Sequence, residues 1–343
     1  VSTTPRSVLS ATDLTSTYRL KGSLLRRGPS EVQAVAGIDL ELAEGEALGL
    51  VGESGCGKST VARAIVGLQP VASGSVQVCG QDLMALRSRE RRAARRQVQM
   101  IFQDPYSSLN ADMTVHDLLT EGWRAHRGIL EPDRWDRRVD ELLEMVGLSS
   151  HHADRKPREF SGGQLQRIAI ARALSVEPRL LVADEAVSAL DVSVQAQVLN
   201  LLDDLRKRLG LGILFISHDL AVVRHLCDRV AVMYLGKIVE TGATAEVFAG
   251  PTHPYTQLLL DSVPDLYPWE SEVQDRLPES GELPSPIDPP SGCRFRTRCP
   301  LASAVCASDL PVLESAGGAA PGHTAACHFK EEALQGAWRD AVA

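Results

Sequence analysis

One stretch, Gly52-Glu53-Ser54-Gly55-Cys56-Gly57-Lys58-Ser59-Thr60, constrains this 343-residue chain more than any other. It follows the apolar run 47–51 and opens a segment, 58–68, whose apolar residues recur at helical spacing. The pattern G-x-x-x-x-G-K-[ST] between a buried strand and a helix is a phosphate-binding P-loop. Its glycines let the backbone curl until successive N–H groups and the helix N-terminus converge on one anion. The whole loop, 52–60, is therefore a candidate nucleotide site. Lys58 is placed to reach the β- and γ-phosphates and Ser59 to ligate Mg²⁺, whereas Cys56 reads as a small loop residue and not a nucleophile.

Strands alternating with helices continue on both sides of the loop, which implies an α/β core. Alternation at 38–42 predicts a half-buried strand, and 47–51, 98–102, 180–183, 212–216 and 229–234 read as strands buried on both faces. Between Thr114 and Val176 the pattern turns helical without intervening strands, predicting an inserted helical segment. Seven prolines punctuate 263–290, which reads as an irregular linker. The tail beyond it is too small and polar to build its own core and calls for a staple.

Composition excludes several classes. Hydrophobic residues make up 44% and charged residues 23%, enough for a packed core and unlike a disordered chain. No apolar run approaches the ~18–20 residues that span a bilayer, and the first residues lack the apolar core of a signal peptide. A soluble, cytosolic protein is expected, with any membrane role exercised through a partner. Lys plus Arg total 36 against 44 Asp plus Glu, a net charge of -8, which is not the balance of a protein held on nucleic acid by its field. Arg87, Arg89, Arg91, Arg92, Arg95 and Arg96 form a basic run, but Glu90 lies within it and no aromatics interleave. It reads as a solvated helix face, with no nucleic acid as partner.

A second chemical signal is 180–185, an apolar strand ending in Asp184 and Glu185. In a P-loop enzyme such a pair supplies one carboxylate to Mg²⁺ and a second that polarises the attacking water. Between loop and pair stands Ser161-Gly162-Gly163-Gln164, opening the apolar helix that runs on through Ala171. With these motifs in this order, the chain resembles the nucleotide-binding subunits of ATP-binding-cassette (ABC) transporters from about residue 7 to 262. The resemblance implies a P-loop cassette with a RecA-like core, an antiparallel β subdomain and a helical subdomain inserted at about 104–178. It also implies a head-to-tail pair of cassettes in which the Ser161–Gln164 turn meets ATP held by the second subunit. By the same resemblance Gln103 senses Mg²⁺ and the attacking water, and His218 touches the γ-phosphate. Asp191 crosses the dimer interface, and Tyr18 stacks on adenine. Read on their own, His218 is equally a surface or capping histidine, and Tyr18 an ordinary strand aromatic. The family usually carries proline after the catalytic glutamate; Ala186 stands there instead.

The tail narrows the resemblance. Gly250-Pro251-Thr252-His253-Pro254-Tyr255-Thr256, Gly281-Glu282-Leu283-Pro284-Ser285-Pro286 and Pro289-Pro290-Ser291-Gly292-Cys293 are similar to the C-terminal extension of oligopeptide and dipeptide importer ATPases, as is Gln103-Asp104-Pro105-Tyr106-Ser107-Ser108-Leu109-Asn110. This implies a cassette over 7–262, a cysteine-bearing extension over 263–330 and a short tail over 331–343. Cys293, Cys299, Cys306 and Cys327 fall as C-x5-C-x6-C-x20-C, four thiols that suit a [4Fe–4S] cluster or zinc. The resemblance favours the cluster, while His323 and His328 beside Cys327 keep zinc open, and unliganded thiols or a disulfide are the remaining reading. The implied activity is ATP hydrolysis driving peptide uptake. The implied partners are a second cassette, two membrane permease subunits and, indirectly, an extracytoplasmic binding protein, with this chain on the cytoplasmic face of the membrane. Import of another solute such as nickel, or a soluble ABC ATPase acting on nucleic acid, are the alternative readings.

Overall fold

A computed structural model describes residues 6–19, 31–126, 128–262 and 284–336. Most of the expected linker, 263–283, lies outside the described residues, as do 1–5 and the last part of the tail, 337–343. The strands in chain order are β1 (Ser7–Arg19), β2 (Glu31–Ala43), β3 (Ala47–Val51), β4 (Ser73–Val78), β5 (Gln81–Asp82), β6 (Val98–Ile101), β7 (Leu180–Asp184), β8 (Gly212–Ser217), β9 (Arg229–Tyr234), β10 (Lys237–Ala243), β11 (Glu314–Ser315) and β12 (Thr324–Ala325). One sheet has the order β2-β1-β4-β5 and is antiparallel throughout. The other runs β11-β12-β10-β9-β3-β8-β7-β6, parallel from β9 to β6 and antiparallel beyond β9.

The composition of the strands explains the layering. β3, β7 and β8 are buried along their whole length, as a parallel sheet covered on both faces requires. Successive side chains of β3 serve opposite layers. Leu48 and Leu50 pack with Leu9, Leu14, Val61 and Ile65 beneath the antiparallel sheet, while Ala47 and Val51 pack with the helical layer on the other face. That layer contains Val115–Ala125, Trp135–Met145 and Gly162–Leu174, and among the described residues no strand lies between β6 and β7. Trp123 ties it down, its indole N–H donating to the Ser175 carbonyl at 2.7 Å.

The arginine run departs from its expected role. Arg87, Arg89 and Arg92 are exposed. Arg91, however, donates to the carbonyls of Met84 and Leu86, Arg95 to Gly67 and Arg96 to Val176. Half of the run thus satisfies backbone acceptors and pins the helix Ser88–Arg95 to its neighbours.

Residues 284–336 extend the cassette's main sheet. β12 pairs with β10, Ala325 opposite Glu240, and β11 pairs with β12. Phe295 fills a cage made by Tyr234, Tyr255 and His253, with ring centroids 5.3, 5.4 and 5.7 Å away. Beneath it the fully buried Glu240 accepts from the Thr252 N–H and hydroxyl and the His253 N–H, and lies 2.6 Å from His323 Nε2. A carboxylate this deep is tolerable only with its lone pairs satisfied in this way. His253 is itself buried in its neutral form, burial pushing its pKa down to about 4, and its Nδ1 accepts from the Tyr255 N–H.

This docking accounts for how the tail is held without the expected staple. Cys293, Cys299, Cys306 and Cys327 are free thiols, and burial holds Cys299 and Cys327 up at about 12, with neighbouring cysteines adding to the effect. Cys293 is likewise raised by burial, and its N–H bonds the Cys306 carbonyl at 2.8 Å. Metal centres need thiolates in ligand geometry. Among the described residues no group of three or more His, Cys, Asp or Glu is arranged to hold a metal ion, so the structure lends no support to the expected [4Fe–4S] cluster or zinc. Sheet addition, the Phe295 cage and the Glu240 network fasten the segment. Replacing Phe295 by alanine is predicted to cost about 3–5 kcal/mol in urea unfolding. The exposed Leu310→Ala, as comparison, should stay within about 0.5 kcal/mol of the unsubstituted protein.

Candidate active site

Parallel strands in register bring the site together. β3 ends at Val51 opposite Ser217, β8 pairs Ile216 with Asp184, and β7 pairs Ala183 with Ile101. The residues that follow these strand ends, 52–60, His218, Glu185 and Gln103, therefore emerge side by side at one edge of the sheet.

The loop from Gly52 to Gly57 is seated against backbone. A Cβ on Gly52 (φ +151°) would lie 2.1 Å from the Met233 carbonyl, and one on Gly57 (φ +113°) 2.3 Å from that of Ala34. Neither position admits a side chain. Gly236, in the turn after β9, donates its N–H to the Cys56 carbonyl at 2.8 Å. Lys58, only 5% exposed, curls back so that Nζ donates to the carbonyls of Gly52 at 2.6 Å and Glu53 at 2.9 Å. Phosphate oxygens can replace those two acceptors without stranding the ammonium. Burial holds the Cys56 thiol above its ordinary range, in keeping with a packing role.

Ser59 donates from Oγ to Asp184 Oδ1 at 3.0 Å. Asp184 lies almost wholly buried at the end of β7. Burial raises its carboxyl above the usual range, and neighbouring Glu185 adds to this against the Ser59 hydrogen bond. A hydroxyl and a carboxylate so placed are hard oxygen donors that fit Mg²⁺. Glu185 follows with a left-handed backbone, φ +49°, which costs on the order of 1 kcal/mol. Its N–H is anchored on the Ile216 carbonyl at 3.0 Å. Its carboxylate is held from both sides: Gln103 Nε2 donates to Oε2 at 2.9 Å, and His218 Nδ1 lies 3.4 Å from Oε1. Gln103, expected beside Mg²⁺, is engaged here with Glu185. Ala186 is buried just beneath.

Tyr18, half-buried on β1, hydrogen-bonds Thr60 through its hydroxyl at 3.1 Å and so ties the antiparallel sheet to the loop's helix. The remaining predicted residues form a separate group. Ser161 caps the helix Gly162–Leu174, accepting from the Gln164 N–H while Gln164 Oε1 accepts from the Ser161 N–H. Asp191 caps Val192–Leu209, accepting from the Val194 N–H and the Ser193 hydroxyl, and the Val194 bond first of all holds its carboxyl below the usual range. The two helix starts meet closely, since a Cβ on Gly163 would lie 2.3 Å from Val194 Cγ1. These side-chain bonds of Ser161, Gln164 and Asp191 stay within their own turns, and neighbouring Val192 is 84% exposed.

Two residues of this neighbourhood escaped the sequence reading. The Tyr255 hydroxyl accepts the Glu53 N–H at 2.8 Å, and Arg298 forms a two-pronged ion pair with the Glu53 carboxylate at 2.8 and 2.9 Å. Tyr255 lies in a motif already visible and Arg298 in the spacer between Cys293 and Cys299, but nothing local to either says that it meets the P-loop.

Residues 35–188 match the family described as ABC transporter, and 239–306 match the oligopeptide/dipeptide transporter C-terminal region. The oligopeptide transport ATP-binding protein AppF of Bacillus subtilis is 46% identical over 324 residues, 94% of this chain and 97% of AppF. OppF of Salmonella typhimurium, also an oligopeptide transport ATP-binding protein, is 53% identical over 287 residues, 83% of this chain and 86% of OppF. The di/tripeptide transport ATP-binding protein DppF of Pseudomonas aeruginosa is 44% identical over 328 residues, 96% of this chain and 99% of DppF. Among solved structures, the dimeric post-hydrolysis cassette MJ0796 with ADP and Pi aligns with a TM-score of 0.60 at 28% identity, covering 69% of this chain and 98% of that one.

His218 braces the carboxylate of Glu185, so its removal should separate binding from turnover. His218→Ala is predicted to keep ATP affinity within about threefold while lowering the hydrolysis rate by about 10², measured by nucleotide titration and phosphate release.

Proposed function

Because the chain belongs to the ABC transporter family, among the oligopeptide and dipeptide transport ATP-binding proteins, we propose that it is the ATP-hydrolysing subunit of a peptide importer. The observation that carries this reading is the carboxylate of Glu185, fixed between Gln103 and His218 at the sheet edge that also presents Lys58, Ser59 and Asp184. A base held from two sides, next to a phosphate cradle, is equipped to orient a water for in-line attack on a terminal phosphate.

In this mechanism the P-loop N–H groups and Lys58 take the phosphates. Ser59 and Asp184 would hold Mg²⁺, which when bound would supply charge neutralisation at the phosphates. Glu185 polarises the attacking water, while Gln103 and His218 keep its carboxylate in place. No residue is required to form a covalent bond to phosphate. Tyr18 takes the adenine end, a role supported by its bond to Thr60. The Ser161–Gln164 turn offers the positive end of a 13-residue helix to ATP bound on a second cassette, and Asp191 borders the same interface. The dimeric form of the MJ0796 cassette supports this arrangement.

Beside Gln103 opens a groove of about 340 Å³ lined by Leu68, Gln99, Phe102, Glu121, His126 and Arg172. Leu68 and Phe102, with nearby Tyr106, are exposed apolar residues that favour protein contact. The permease subunits dock here in this reading, so that closure of the cassettes moves them. Among the described residues no helix is long and apolar enough to cross a membrane, and the reading assigns that crossing to the permease, with this chain on its cytoplasmic side. An extracytoplasmic binding protein delivers the peptide. The relatives named for peptides favour a peptide over nickel.

Glu185→Gln is predicted to bind Mg·ATP, to lose turnover by about 10²–10⁴ and to accumulate as an ATP-bound dimer in size-exclusion chromatography; undiminished turnover would contradict the role of Glu185. Leu68→Asp should lower peptide uptake about tenfold in cells relying on this subunit while the isolated chain hydrolyses ATP normally. Unchanged uptake would move the docking site elsewhere.

A further inference from the structure

Glu53 is the first variable residue of the P-loop, and its whole peptide unit is fixed. Its N–H is held by the Tyr255 hydroxyl, its carbonyl accepts from Lys58 and from the Cys56 N–H, and its carboxylate is gripped by the Arg298 fork. Tyr255 and Arg298 lie 202 and 245 residues further along the chain, in the C-terminal region. The Arg298 side chain is 8% exposed and its guanidinium rides over the rings of Tyr234 and Phe295, 5.9 and 5.8 Å from their centroids. A second tie runs in parallel. Arg294 donates to the Leu235 carbonyl, and the next residue, Gly236, donates to the Cys56 carbonyl inside the loop.

Two physical consequences follow. A paired fork in a nearly dry cage is far more directional than a surface ion pair, so it fixes the loop's first turn. It also cancels a carboxylate that neighbours the acceptors now holding Lys58, where an uncompensated negative charge would oppose incoming phosphates. We propose that Arg298 is a positioning residue for the nucleotide, acting through Glu53, so that ATP affinity depends on the C-terminal region being seated. The inference rests on the reading that ATP binds at this P-loop.

The test uses the full-length chain with Mg²⁺ and a non-hydrolysable ATP analogue in calorimetric titration, alongside steady-state ATP hydrolysis. Arg298→Gln is expected to weaken analogue binding and raise KM about tenfold, with kcat at saturating ATP retained. The double variant Glu53→Gln with Arg298→Gln, which removes the stranded carboxylate, should regain most of that loss. Analogue affinity within twofold of the parent chain for Arg298→Gln, or a double variant no better than the single, overturns the proposal. Where Arg298→Gln does not fold, Arg298→Lys decides. Loss of the fork then raises KM about threefold with kcat retained, and an unchanged KM overturns it. Failure of the parent chain itself to bind the analogue would instead defeat the functional reading.

Discussion

The P-loop must aim its N–H groups at a ligand, and a backbone that does so has few bonds left with which to hold itself. It is held by what it rests on. Gly52 lies flat against the Met233 carbonyl and Gly57 against that of Ala34, contacts that leave no room for a Cβ. Lys58 closes the loop from within by bridging the Gly52 and Glu53 carbonyls. From this seat the rest of the site follows by strand register, because β3, β8, β7 and β6 are consecutive neighbours in the sheet. Lys58, His218, Glu185 and Gln103 each come just after one of those strands, and their proximity needs no further device.

The C-terminal region belongs to the same construction. Most additions to an α/β core sit on its periphery, whereas here β12 lengthens the catalytic sheet and Phe295 enters an aromatic cage. The cage is lined by Tyr234, the last residue of β9, and by Tyr255, which also touches Glu53. The buried Glu240 network makes that seating specific, since its acceptor sites are met only when Thr252, His253 and His323 are all in place. The region thus covers a sheet edge and braces the phosphate loop at once.

Much of this was legible in the sequence. The P-loop, the Asp184–Glu185 pair and the buried strands are local patterns, and local patterns survive folding. Gln103 and His218 were legible only through family resemblance, because a lone glutamine or histidine after a strand carries no chemistry of its own. β1 was harder: its Ser- and Thr-rich run has irregular alternation, and its pairing with β2 shifts register several times. The arginine run misled because composition cannot distinguish a solvated guanidinium from one that caps a carbonyl, as Arg91 and Arg96 do. The four late cysteines revealed none of the packing that holds the segment, since spacing reports ligand types alone. The Glu53–Arg298 pair was out of reach, its partners being 245 residues apart with no pattern joining them.

In the proposed mechanism one loop, braced by the C-terminal region, receives the nucleotide without being rebuilt. A crystal structure of the full chain with Mg²⁺ and a non-hydrolysable ATP analogue tests it most directly. Lys58 Nζ is expected to leave the Gly52 and Glu53 carbonyls for the phosphates, with Ser59 and Asp184 flanking the ion. The Glu53–Arg298 fork and the Tyr255 bond should remain intact. A nucleotide bound away from the loop, or a Glu53 released from Arg298 on binding, would contradict it.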